Sequence, residues 1–151
     1  PVRMSRLDEV GEQDGWRCWL CDEPVDPDMS VNDARGPSID LRTTKAKAKE
    51  KGADGQERLA HRGCNTGKGA KDPVVPWPEH LFVVDPAVIL TAVERLERKG
   101  GREVMARCPT AEDADAAAEW LADRIGRLAP GLGATTEVDE GGGQYLVSLR
   151  A

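Results

Sequence analysis

The chain has 151 residues, enough for one ordinary domain or two small ones, and carries a formal net charge of -6. That balance excludes a protein coated in positive charge for nucleic acid, and no run approaches the roughly 18 apolar residues of a membrane span. A single Phe and a single Tyr leave Leu, Val, Ile, Ala and four Trp to fill a core, and a small zinc-bound half suits so sparse a supply because metal ligation substitutes for core volume.

In chain order, "SRLDEVGEQDG" reads as a short helical lead-in and Trp16 to Leu20 as a strand. That strand leads to Cys18 and Cys21 in "WRCWLCDEP". "EPVDPDMS" is turn-rich, with Pro24, Asp26, Pro27 and Asp28 close together. "PSIDLRT" alternates like a short strand, and "RLAHRGCNTGKGA" reads as a helix that puts His61 and Cys64 three apart on one face. Pro73, Pro76 and Pro78 exclude a regular helix from "KDPVVPWPEH" and mark an extended connector over 73–84.

Beyond the connector, "DPAVILTAVERLERKG" reads as a helix with Asp85 as N-cap, Pro86 at its first position and Gly100 at its end. Val88, Ile89, Ala92, Val93 and Leu96 form its apolar stripe. "REVMARC" alternates like a strand. A second helix starts at the Thr110 cap, with acids in its first turn, and places Ala117, Trp120, Leu121, Ile125 and Leu128 toward a core. "ATTEVDEGGGQYLVSLR" reads as a hairpin turning at Gly141 to Gly143. The expected architecture is α+β: a zinc-stabilised domain over 1–72, the connector, and a small α+β domain over 85–151.

Cys18 and Cys21, then His61 and Cys64, are two pairs with the two-residue gap that turns neighbouring side chains onto one ion. Together they make a Cys₃His set, the closed coordination of structural zinc. In a reducing cytosol, where a chain without a signal-peptide pattern at its start is expected, four Cys read as metal ligands plus a spare rather than as disulfides. The spare, Cys108, reads as a small buried hydrophobe. Trp16 and Trp19 are expected to pack around the first pair, and Trp77 to anchor the connector.

Charge is unevenly spread. From Arg42 to Lys71 the chain carries Arg42, Lys45, Lys47, Lys49, Lys51, Arg58, Arg62, Lys68 and Lys71 against Glu50, Asp54 and Glu57. A basic segment inside an acidic chain can face phosphates, or can simply be a solvated loop. Arg42, Lys45, Arg62, Lys68 and Lys71 are the candidate nucleic-acid contacts.

Trp16-x-Cys18-x-x-Cys21, then Ser38-Ile39-Asp40-Leu41, then Leu59-Ala60-His61-Arg62-Gly63-Cys64-Asn65-Thr66-Gly67-Lys68-Gly69 resembles the HNH endonuclease superfamily in its zinc-bearing ββα-metal form. The resemblance covers a little over a third of the chain. It implies a structural zinc on Cys18, Cys21, His61 and Cys64. It also implies a catalytic divalent ion, magnesium or manganese, between Asp40 and Asn65. The residue after the Asp is normally the His that deprotonates the attacking water; here it is Leu41, which accepts no proton at any pH. A middle Asn of the family pattern is also missing, with Gln56 nearest, and His80, the other histidine, lies beyond the connector.

General-base catalysis contributes about two to four orders of magnitude in rate. The resemblance therefore implies an HNH-like protein that binds nucleic acid, DNA above all, with cleavage impaired or absent. The alternatives are an active metal-dependent DNA endonuclease with another source of activated water, and a zinc-scaffolded module for protein contacts. Residues 85–151 would then serve a protein partner or self-association.

Overall fold

A computed structural model describes residues 5–41, 57–69 and 74–151. The chain is mixed α+β and divides into two compact units, Pro1–Pro73 and Val74–Ala151.

In the first unit, α1 (Arg6–Gln13) starts at a capping box. Ser5 accepts from the Asp8 N–H while the Asp8 carboxylate accepts from the Ser5 N–H. Strands β1 (Pro37–Leu41) and β2 (Glu57–His61) form an antiparallel pair, with Asp40 opposite Arg58 and Pro37 opposite His61. Helix α2 (Arg62–Lys68) follows β2 without a loop. Its start has no side-chain cap. Backbone carbonyls of the loop before β1 serve instead: Arg62 N–H donates to Gly36 O at 2.9 Å and Gly63 N–H to Ala34 O at 2.7 Å. That loop closes tightly, since a Cβ on Gly36 would lie 1.9 Å from Ser30 O. Val10, Leu20, Val25, Leu59 and Ala60, with Cys18 and Trp19, are the unit's buried hydrophobic side chains among the described residues.

Two expectations are corrected here. Trp16 to Leu20 is not a regular strand: Trp16 has φ +55, and only an isolated antiparallel bridge joins Arg17 to Pro24. His61 is not on the helix but is the last residue of β2 and the N-cap of α2. Pairing with β1 fixes residues 57–61 as extended, and the helix begins only where that ladder ends.

In the second unit, α3 (Ile89–Lys99) precedes β3 (Arg102–Cys108), α4 (Ala111–Leu128), β4 (Thr135–Gly141) and β5 (Gln144–Arg150). The sheet is antiparallel with β5 between β3 and β4, and a bulge interrupts β3 between Val104 and Ala106. Ile89, Ala92, Val93 and Leu96 are buried, as are Ala117, Leu121, Ile125 and Leu128, with Val147 and Leu149 from the central strand. Asp85 does not cap α3: it has φ +48 and pairs with Arg107, and the N-cap is Val88, without a side-chain bond. From Val74 onward the Pro-rich stretch belongs to this unit. The Trp77 indole donates to Ala87 O at 2.8 Å and its ring lies 5.3 Å from that of Trp120, while Val84 exchanges backbone bonds with Arg107 on β3. Among the described residues, no helix is long and apolar enough to cross a membrane.

Candidate metal centre

Backbone bonds build a tight loop around the first Cys pair. Cys18 N–H donates to Glu23 O at 2.9 Å, and Asp22 N–H donates to Cys18 O at 2.8 Å. Asp22 takes the left-handed conformation, φ +67, that the reversal requires. The loop is tied to β2 because Trp19 N–H donates to Leu59 O at 2.9 Å. The same strand, two residues on, supplies His61, and the first turn of α2 supplies Cys64.

The ligand atoms of Cys18, Cys21, His61 and Cys64 all lie within 4.8 Å of one another. A tetrahedron with ~2.3 Å zinc–sulfur bonds has an edge of roughly 3.8 Å, so only a small contraction separates this cluster from a closed site. His61 Nδ1 lies 3.3 Å from Cys21 Sγ and 3.9 Å from Cys64 Sγ. Its other nitrogen, Nε2, donates to Pro24 O at 2.9 Å, which fixes the tautomer with a lone pair on Nδ1 facing the thiols. Cys18 is wholly buried and accepts from the His61 N–H at 3.4 Å.

Burial is the main cause that raises both the Cys21 and the Cys64 thiols. The Cys18 sulfur adds to it in both, the Cys21 sulfur adds to it for Cys64, and Cys64 is pushed up to about 12. Without a cation the Cys21 and Cys64 thiols resist ionisation, and a bound cation would supply the charge that permits it. The cluster can hold a metal ion such as zinc, and its soft, sulfur-rich donor set fits one. Bound there, the ion would cross-link the first loop to the β2–α2 junction.

Asp40 is the penultimate residue of β1, and its side chain is buried. Its two oxygens are both engaged: Oδ1 accepts from Lys68 Nζ at 2.7 Å and Oδ2 from the Trp19 indole N–H at 3.1 Å. Lys68 Nζ also donates to Leu41 O at 3.1 Å. Asn65 donates through Nδ2 to Ser38 Oγ at 2.9 Å and to Ile39 O at 3.2 Å, so its amide ties α2 to β1. Leu41 is half-buried, and strand alternation sends its side chain to the face opposite Asp40. An oxygen-ligated divalent ion between Asp40 and Asn65 does not fit this arrangement, because the ammonium of Lys68 already holds the carboxylate.

Lys68 is thus turned inward, its side chain 7% exposed, rather than offered to a phosphate. Arg62 is exposed and donates to Asn32 O at 3.1 Å. Arg42, Lys45, Lys71 and Gln56 lie outside the described residues. His80 is exposed in the second unit, and Cys108 is buried on β3.

Sequence reasoning missed the network behind the centre. Asp14 accepts from Arg58 Nε at 3.0 and 3.1 Å and from Leu59 N–H at 2.7 Å, and Arg58 lies over the Trp19 ring, 5.5 Å from its centroid. Asp14, Arg58, Trp19, Asp40 and Lys68 therefore form one buried chain of alternating charge around an indole. No local pattern signals it, because its partners are 21 to 44 residues apart.

Comparison of the chain with protein-family models, with curated proteins and with solved structures gives no match.

Proposed function

We propose that the first unit is an HNH-like, ββα-metal domain with a structural zinc on Cys18, Cys21, His61 and Cys64, and that it binds nucleic acid without efficient cleavage. The observation that carries this reading is the junction of the sulfur–histidine cluster with a strand–strand–helix element whose first strand carries the carboxylate of Asp40 followed by Leu41. Four soft donors on such an element suit zinc. A leucine next to the acidic residue supplies no base, and the pairing of Asp40 with Lys68 supplies no vacant carboxylate.

Phosphate contacts in this reading come from the basic stretch of sequence between Arg42 and Lys71. Arg58 and Lys68 are committed to internal carboxylates, which leaves Arg42, Lys45, Lys47, Lys49, Lys51, Arg62 and Lys71 for the backbone of a bound strand. Such contacts release counterions, so affinity falls as salt rises. DNA is the favoured target on the resemblance to HNH enzymes.

The test is DNA binding by the zinc-loaded chain across a salt series, alongside plasmid nicking in magnesium or manganese. Binding should weaken with salt, with a log–log slope that flattens by about 0.9 in Arg62→Ala if that side chain contacts one phosphate. The plasmid should stay intact. Nicking by the wild type that Asp40→Ala abolishes would establish an active nuclease and sink the proposal. Absence of salt-dependent binding would remove nucleic acid and turn attention to protein partners.

A further inference from the structure

A carboxylate sealed from water needs a compensating positive charge, and Asp40 receives it from within its own chain. Lys68 reaches back from the last turn of α2 to place its ammonium 2.7 Å from Asp40 Oδ1 and 3.1 Å from Leu41 O. The two side chains are 7% and 4% exposed. Carboxylate and backbone carbonyl oxygens grouped around one positive centre are also the donors that hard divalent cations take. The Asn65 amide is pinned at the same helix–strand junction by Ser38 and Ile39.

We propose that the pocket at Asp40 is a lysine-locked cation site: the Lys68 ammonium stands where a divalent cation would otherwise sit, and removing the amine opens the site to such an ion. The ammonium and the ion are alternatives because both compensate the same buried charge and draw on the same two oxygens. With a single carboxylate, the opened site binds in the millimolar range, at the weak end for oxygen-ligated cations. The lock also holds the end of β1 against α2, so this part of the unit keeps its form whether or not magnesium is present. The proposal takes its place from the HNH-like reading, yet it concerns cation occupancy alone. A chain that binds no nucleic acid can still carry the lock, and the reverse holds too.

The experiment uses the full zinc-loaded chain and Mn²⁺, a weak competitor for sulfur ligands. The Trp19 indole N–H, hydrogen-bonded to Asp40 Oδ2, reports on the pocket through paramagnetic broadening of its resonance. In the wild type, millimolar Mn²⁺ should leave this resonance sharp. In Lys68→Ala the melting temperature should fall by roughly 10 °C or more without the ion, Mn²⁺ should restore part of that loss, and the indole signal should broaden. Asp40→Asn combined with Lys68→Ala should lose both responses.

Selective broadening in the wild type would overturn the lock, because the site would then be open with the lysine in place. A folded Lys68→Ala chain with a sharp indole signal would overturn the cation site itself. If Lys68→Ala and Lys68→Ser do not stay folded without the ion, refolding decides. Recovery that depends on Mn²⁺ supports the proposal, and failure to recover in either variant refutes it.

Discussion

In the first unit, Asp14, Arg58, Asp40 and Lys68 carry their charges on side chains only 4–7% exposed, whereas in the second unit Arg102, Glu137, Asp139 and Arg150 pair across the sheet at 36–57% exposure. The contrast follows from what each unit has to bury. The second unit closes over the aliphatic faces of α3, α4 and β5, and these four charges lie at the surface of its sheet. The first has few large apolar side chains and fills its interior with the sulfur–histidine cluster and paired charges. A buried pair is costly to break even where it adds little net stability, while an exposed pair is screened and weak. The buried pairs of the first unit are therefore structural, and the exposed sheet pairs of the second are dispensable.

Metal removal should separate the units most strongly. Structural zinc contributes apparent binding energies of about 10–16 kcal/mol in small domains at neutral pH. A chelator, or Cys18→Ser, should unfold the first unit while the helical circular-dichroism signal of α3 and α4 persists. Equal loss from both units would break the comparison. The pH dependence has a definite sign. Burial, helped by the Cys18 sulfur, raises the Cys21 and Cys64 thiols above the ordinary thiol range, and unfolded thiols also titrate well above neutrality. Both groups are thus protonated in the metal-free chain near pH 7, and each gives up its proton on loading. Zinc affinity, measured against a competing chelator, should fall as pH is lowered; a pH-independent affinity would argue against thiolate ligation.

Next in size is Arg58→Met, which keeps an apolar stem beneath the Trp19 ring but leaves Asp14 buried without its partner. The expected loss is about 3–5 kcal/mol. Converting Asp14 to Ala as well should cost less than the sum of the single changes, because the uncompensated carboxylate is then gone. Denaturant unfolding of the zinc-loaded chain measures both. Additive losses would mean that the two side chains act independently, and the buried network would dissolve into separate contacts.

What could be read from the chain beforehand was whatever depends on near neighbours. The cluster of Cys18, Cys21, His61 and Cys64 was visible because each half is a local pair. Thr110 was recognisable as a cap, and the stripe from Ile89 to Leu96 as a buried face, for the same reason. Asp85 looked like a cap, but its positive φ and its pairing with Arg107 belong to the fold around β3. His61 looked helical from its spacing to Cys64, but strand pairing with Pro37 overrode that local preference. Lys68 looked like a phosphate contact because its partner, Asp40, is 28 residues away. The placement of β5 between β3 and β4 likewise rests on pairings that no single segment announces.

Two smaller effects sharpen the contrast from the second unit. Thr110 Oγ1 accepts from the Asp113 N–H at 3.1 Å at the start of α4, so Thr110→Ala should cost about 1 kcal/mol. Glu137→Gln should shift the melting temperature too little to resolve. The Glu137 carboxyl is held below its usual range mainly by its hydrogen bond to Arg150. Any stabilisation it lends is therefore present above the unfolded carboxyl value of 4.5 and fades as pH falls through the lowered folded value. At neutral pH that stabilisation is fully present, yet the pair is open to solvent and salt, which screen it to near nothing. A loss for Glu137→Gln as large as that for Arg58→Met, and insensitive to salt, would mean that exposure does not set the worth of these ion pairs, and the distinction between the two units would fail.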